Sequence, residues 1–202
     1  MNINVKLLLA VVAAMAFGPF QLWGQSDIKI PDYASKTLYI SGPAASLVVE
    51  GHDKNNMLMN LSPSDAQPME VQEDRVVIQL RNEEKAVRLR IPAAMKVVCE
   101  LEGIQYTGGS LGPGQSDYRS VTFKDLRGAI QFEGDGYHVS VENHSGSVDV
   151  TTYGNVDASI ADLPKGAGIS IDTYLGAVRV EVDDELDAQL KLTAKKGKAT
   201  LD

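Results

Sequence analysis

Short runs in which every second side chain is apolar follow one another along most of this chain. Leu38-Tyr39-Ile40, Leu47-Val48-Val49-Glu50, Met57-Leu58-Met59-Asn60-Leu61, Val76-Val77-Ile78-Gln79-Leu80 and Val87-Arg88-Leu89-Arg90-Ile91 are examples. A two-residue period sends alternate side chains to opposite faces of a strand, so each run predicts a half-buried strand. Gly, Pro, Asn, Asp or Ser bounds each run and supplies the turn. Many short strands with regular punctuation predict an all-β fold.

The last third of the chain adds a longer period. Val148-Asp149-Val150, Ile169-Ser170-Ile171 and Leu190-Lys191-Leu192 recur at 21-residue intervals. Gly154, Gly176 and Gly197 follow them, and second alternating pairs follow the glycines as Val156/Ala158, Val178/Val180 and Ala199/Leu201. The intervening turn repeats as Thr152-Tyr153-Gly154 and Thr173-Tyr174-Leu175-Gly176, and a shorter copy precedes it with Ile130/Phe132, Gly136 and Val139/Val141. A unit of strand, Gly turn, strand and connector predicts a single-stranded β-helix or solenoid of stacked coils, each about 18–22 residues long. A β-sandwich is the alternative. Aligned outward positions would then read Asp149/Ser170/Lys191, Asn155/Ala177/Lys198 and Asp157/Arg179/Thr200. Stacked corners would bring Tyr153 and Tyr174 together.

The first residues break this pattern. Lys6 precedes the apolar residues 7–17 (LLLAVVAAMAF), Gly18-Pro19 breaks any helix, and small Gly24 follows. That layout predicts a secretory signal peptide over residues 1–24, with an apolar run too short to span a bilayer comfortably. Residues 25–36 read as a lead-in and 37–202 as the folded domain. Cleavage after Gly24 would remove Lys6 and Trp23, leaving 18 basic against 27 acidic residues and no tryptophan. The whole chain already carries a net charge of −8. Such a balance provides no positive field for a nucleic-acid backbone, so no nucleic-acid partner is expected. No transmembrane segment is expected in the mature chain, which should reach the periplasm or the cell surface.

Several of these residues resemble a known family. Leu38-Tyr39-Ile40-Ser41-Gly42-Pro43, Leu47-Val48-Val49-Glu50-Gly51-His52-Asp53, Arg90-Ile91-Pro92, the paired Gly-x-Val/Ile-x strands and the repeats over 147–202 with Leu163-Pro164 between coils are similar to the bacterial putative adhesin domain. The resemblance covers roughly residues 37–202. It implies an exported β-solenoid akin to autotransporter adhesin head domains, and it carries over no functional residues. Residues 106–120 (YTGGSLGPGQSDYRS) are longer and richer in glycine than the family's connection at that place.

Candidate chemistry is sparse. The lone Cys99 excludes an intramolecular disulfide, and alternation places it on one strand face with Met95, Val97 and Leu101 as a small apolar core residue. The Gly-rich stretch 108–114 lacks the Lys-Ser/Thr ending and the helix of a phosphate loop. It reads as a surface loop. His138 and His144 fit no common ligand spacing, with His138 placed outward and His144 in a turn, so no metal is expected. No cofactor is expected. The acids are scattered over turns and outer faces, including the Asp183-Asp184-Glu185 run.

Two features remain as candidate partner contacts. Tyr106, Tyr118, Tyr153 and Tyr174 can supply aromatic area, and Lys195, Lys196 and Lys198 crowd the final coil beside Lys191. Lysines on an open strand edge discourage pairing with other chains. They could equally meet an acidic partner, or another copy through the C-terminal edge of the solenoid. The reading is an exported, non-catalytic, adhesin-like binding or scaffold module of the cell envelope or surface. Its partner would be an envelope or surface protein or glycan. The alternatives are a carbohydrate-active β-helix enzyme, which needs acids converging on one face, and an envelope-signalling component acting through a protein partner.

Overall fold

Inward side chains recur at every second position of the strands, most cleanly over Val148–Thr152 and Val156–Ile160. The inward members are mostly Val, Ile, Leu and Met, whose shapes suit a pleated surface buried on one side. The structure, a computed structural model, describes residues 26–29, 32–60, 69–81, 85–103, 119–182 and 189–202. The expected leader over 1–24, the Gly-rich stretch, Tyr106, Tyr118 and the Asp183-Asp184-Glu185 run lie outside these. Among the described residues there are seventeen strands and one short 3-10 turn, Tyr33–Ser35.

The strands form two sheets. One has nine strands, in the order β1 (Ser26–Lys29), β4 (Asn56–Met59), β7 (Ala86–Pro92), β3 (Ser46–His52), β9 (Arg119–Lys124), β11 (Tyr137–His144), β13 (Val156–Ile160), β15 (Val178–Val182) and β17 (Ala199–Leu201). The other has eight, in the order β16 (Gln189–Ala194), β14 (Gly168–Thr173), β12 (Val148–Thr152), β10 (Ile130–Gly134), β8 (Lys96–Leu101), β2 (Thr37–Gly42), β6 (Arg75–Gln79) and β5 (Glu70–Val71). The inner faces share one apolar core. At its centre Phe123 of the first sheet meets Phe132 of the second at 6.1 Å between ring centroids, and Tyr137 packs on Phe132 at 5.9 Å.

This arrangement corrects the expectation of a single-stranded, continuously stacked β-helix. The chain builds two discrete sheets with mixed parallel and antiparallel pairing, the architecture of a β-sandwich. The order of strands also departs from the order of the chain, because β2 lies between β6 and β8 and β3 lies between β7 and β9. At that end β1, β4 and β5 pair antiparallel. The 21-residue spacing specifies which residues lie side by side in neighbouring strands, and there it holds. Val148 pairs with Ile169 and Ile169 with Leu190, while Val156 pairs with Val178 and Val178 with Ala199. It carries no information about the first hundred residues, which lack the repeat.

Polar groups key the out-of-order strands into place. Lys36 is buried, and its ammonium donates to the carbonyls of Gln72, at 2.9 Å, and Glu73. This ties the entry to β2 onto the turn between β5 and β6. The Tyr137 hydroxyl reaches the carbonyl of Ala44 at 3.1 Å and that of Glu102 at 3.3 Å, joining the β2–β3 corner to the end of β8.

Close approach, rather than a positive φ, explains the corner glycines of the repeat. A Cβ on Gly176 would lie 2.0 Å from the carbonyl oxygen of Gly154, and one on Gly154 would lie 2.0 Å from that of Tyr137. Gly176→Ala is therefore expected to cost about 1–3 kcal/mol through forced displacement of packed backbone. Gly168→Ala, whose Cβ would meet nothing nearer than 3.4 Å, should stay within about 0.5 kcal/mol of the parent. Urea unfolding of the two variants checks the contrast, and equal losses would refute the close-contact explanation.

Candidate functional site

The repeated corner, Thr152-Tyr153-Gly154 and Thr173-Tyr174-Leu175-Gly176, divides its work by side chain. Each threonine turns inward and is fully buried. The Thr152 hydroxyl lies 2.9 Å from the Gly134 carbonyl and 2.8 Å from that of Tyr137, and it accepts the Gly154 N–H at 3.3 Å. Thr173 repeats the device, donating to the Gly154 carbonyl at 2.7 Å and accepting the Gly176 N–H at 3.2 Å. These bonds engage backbone groups buried at the corner. They also hold the intervening residue pointing outward.

That residue is a tyrosine twice and a lysine in the third copy. Tyr153 and Tyr174 stack at 5.1 Å between ring centroids with a 42° tilt. Their spacing follows from parallel strands about 4.8 Å apart. Lys195 and Lys196 continue the stack, with their ammonium groups 5.7 and 4.9 Å from the centre of the Tyr174 ring. Each exposed cation–aromatic contact of this kind contributes about 0.5–1 kcal/mol. Tyr153 remains 41% exposed, as does the adjoining Leu175. Of the expected contact residues, Tyr153, Tyr174, Lys195 and Lys196 thus form one surface. Lys198 is exposed in the adjoining column, where its carbonyl accepts the Val178 N–H.

A second polar surface lies on the outside of the nine-stranded sheet. Ser140, Glu142, Asp157, Ser159, Arg179 and Glu181 line a shallow depression there. Arg179 pairs with Glu181 at 2.6 Å and Asp202 at 2.8 Å, and these partners raise its pKa, the Asp202 hydrogen bond foremost. Glu142, Asp157 and Glu181 gather here around Arg179, although the aligned row Asp157, Arg179 and Thr200 holds a single acid, as the repeat register requires.

The other titratable groups serve the fold. Cys99 is a fully buried free thiol whose pKa burial pushes up, and Met95, Val97 and Leu101 share its core. Among the described residues no group of three or more His, Cys, Asp or Glu could hold a metal ion. His138 and His144 point to different environments. His138 is half-buried, and its Nδ1 accepts the Asn155 N–H at 2.9 Å. The placement of His144 in a turn is corrected: it ends β11 and lies wholly in the core. A shift of register between Val141 and His144 puts it opposite Ile160. Asn143, at φ 50°, takes up the extra residue, and its amide donates to Asp125 at 2.6 Å. Strict alternation from Val141 points to residue 143 as the next inward position, so the bulge was invisible to it. The sole hint was an Asn, a residue tolerant of positive φ, beside a His.

No protein-family model matches the chain, and no curated protein matches it in sequence. Some solved structures align with it. A putative cell adhesion protein from Clostridium sporogenes is 9% identical, with a TM-score of 0.43 over 88% of this chain and 97% of that one. A putative adhesin from Bacteroides fragilis is 9% identical, with a TM-score of 0.27 over 88% and 94% of the respective chains. A putative adhesin from Parabacteroides distasonis is 14% identical, with a TM-score of 0.26 over 88% and 77%. Among the described residues no helix is long and apolar enough to cross a membrane.

The buried histidine makes stability depend on pH. Burial lowers the His144 pKa from 6.5, against the opposing pull of backbone groups at Ser147, Leu126 and Gly146. His138 shifts the same way, again by burial, with Asp157 opposing. Both bind a proton more readily in the unfolded chain. Their contribution is therefore complete above the unfolded pKa of 6.5 and is lost as the pH falls through and below it. The melting temperature should drop between pH 7.5 and 5, and His144→Leu should remove most of that drop. A variant that loses stability as steeply as the parent would locate the acid sensitivity elsewhere.

Proposed function

We propose that the protein is an exported, non-catalytic binding or scaffold module of the cell envelope or surface, and that its contact surface is the Tyr153–Tyr174–Lys195–Lys196 corner. The observation that supports this reading is the stack itself. Two tyrosines and two lysines are held outward on a corner whose backbone is in direct contact with its neighbours. Tyrosine offers large, rigid, amphipathic area at low entropic cost, which is why it concentrates at interfaces. The leader-like residues 1–24 support export. A carbohydrate-active enzyme would instead draw on the acids around Arg179, two of which that guanidinium already engages.

A photo-crosslinking side chain placed at Tyr153 in the exported protein tests the surface in its own cell. A discrete adduct is expected. It should fall about tenfold when Tyr174→Ser is combined with Lys195→Glu and Lys196→Glu, since losing an aromatic anchor costs more than about 1 kcal/mol. Melting temperatures certify that the variant folds. Absence of any adduct, or an adduct indifferent to the substitutions, defeats the reading.

A further inference from the structure

The tyrosine stack is the middle of a longer column. Leu101 pairs with Gly134, Gly134 with Thr152, Thr152 with Thr173, and Thr173 with Ala194. The residues that follow are Glu102, Asp135, Tyr153, Tyr174 and Lys195, one per strand along a single corner of the sandwich. Gly103 and Asp135 confirm the proximity at the acidic end, since a Cβ on Gly103 would lie 2.7 Å from that of Asp135. Lys196 joins Lys195 at the other end through its contact with Tyr174. Tyr174 is half-buried and the other members of the column are exposed. The column therefore reads acid, acid, aromatic, aromatic, base.

That order is self-complementary when reversed. We propose that two copies of this chain associate through the corner about a two-fold axis, with their columns running in opposite directions. An axis between Tyr153 and Tyr174 has Asp135 one and a half steps to one side and Lys195 one and a half steps to the other. The rotation brings Asp135 of each copy opposite Lys195 and Lys196 of the other, and the tyrosines of both copies meet on the axis. Such an isologous contact uses one patch twice, as closed dimers do. The same-direction arrangement would set acid on acid and lysine on lysine. The chain's net charge of −8 makes two copies repel on the whole, and at this corner Lys195 and Lys196 supply the opposite sign. The inference rests on the corner being a contact surface, and it names a second copy as the occupant. One narrow edge gives a weak, salt-sensitive dimer rather than an obligate one.

Sedimentation velocity of the exported chain over a concentration series tests it. A dimer is expected in about 0.1 M salt, where the Debye length is about 10 Å, and it should weaken several-fold in about 1 M salt. Asp135→Lys alone, and Lys195→Glu with Lys196→Glu alone, should each weaken the dimer at least tenfold. An equimolar mixture of those two variants should restore it, because every opposed pair is again of opposite sign. Tyr153→Ser changes no charge and should also weaken association, which keeps the proposal testable if a reversed-charge chain fails to fold. A monomer at every concentration, variants that dimerise like the parent, or a mixture that stays monomeric overturns the proposal. In those cases a Tyr153 adduct with a different molecule leaves the contact-surface reading standing, whereas loss of that adduct removes both.

Discussion

Backbone contact between successive corners governs the repeating half of this molecule. Where Gly176 lies on Gly154, and Gly154 on Tyr137, the separation leaves no room for a side chain. Neighbouring strands must therefore enter and leave each corner at the same place. That requirement fixes a parallel register in which equivalent residues lie side by side, Thr152 beside Thr173 and Val156 beside Val178. Everything the surface displays follows from it. Once the threonine hydroxyls have satisfied the corner groups, the next side chain can only point outward, at a repeat of about 4.8 Å.

The same geometry explains why the interior can be so plain. Inward positions hold Val, Ile, Leu and Met because parallel, in-register strands place like against like and β-branched shapes fill the space between the sheets. Among the described residues, buried Tyr137, Thr152, Thr173 and Lys36 each bond backbone carbonyls. Fully buried His144 is less well served, with Nδ1 unsatisfied and a weak 3.4 Å contact from Nε2 to the Ser147 carbonyl. A neutral ring tolerates that position and a charged one does not.

Legibility in the sequence followed the range of the interaction. The strand runs, the pairing of Val148 with Ile169 and the burial of Cys99 were all readable, because alternation and a fixed spacing encode them locally. The Tyr153–Tyr174 stack followed from the same spacing. The two-sheet sandwich and the insertion of β2 and β3 between strands from later in the chain were not readable. They depend on long-range ties such as Lys36 to Gln72 and Tyr137 to Ala44, which leave no periodic trace. The bulge at Asn143 escaped for a different reason. One inserted residue reverses every later facing, and alternation has no means to announce it.

A corner built this way separates two kinds of constraint. Glycine and threonine answer to the fold, since replacing either disturbs contacts to neighbouring backbone. The residue that follows each strand end takes no part in the core, and the tyrosines and lysines among these touch one another along the column. Glu102, Asp135, Tyr153, Tyr174 and Lys195 occupy equivalent positions outside the apolar core. Their progression from acid through aromatic to base is therefore free to report on what lies outside. A surface shaped only for solubility would intermix its charges and keep aromatic rings off an exposed edge. This one segregates charge at two ends and places both rings between them, an arrangement that serves contact better than solvation.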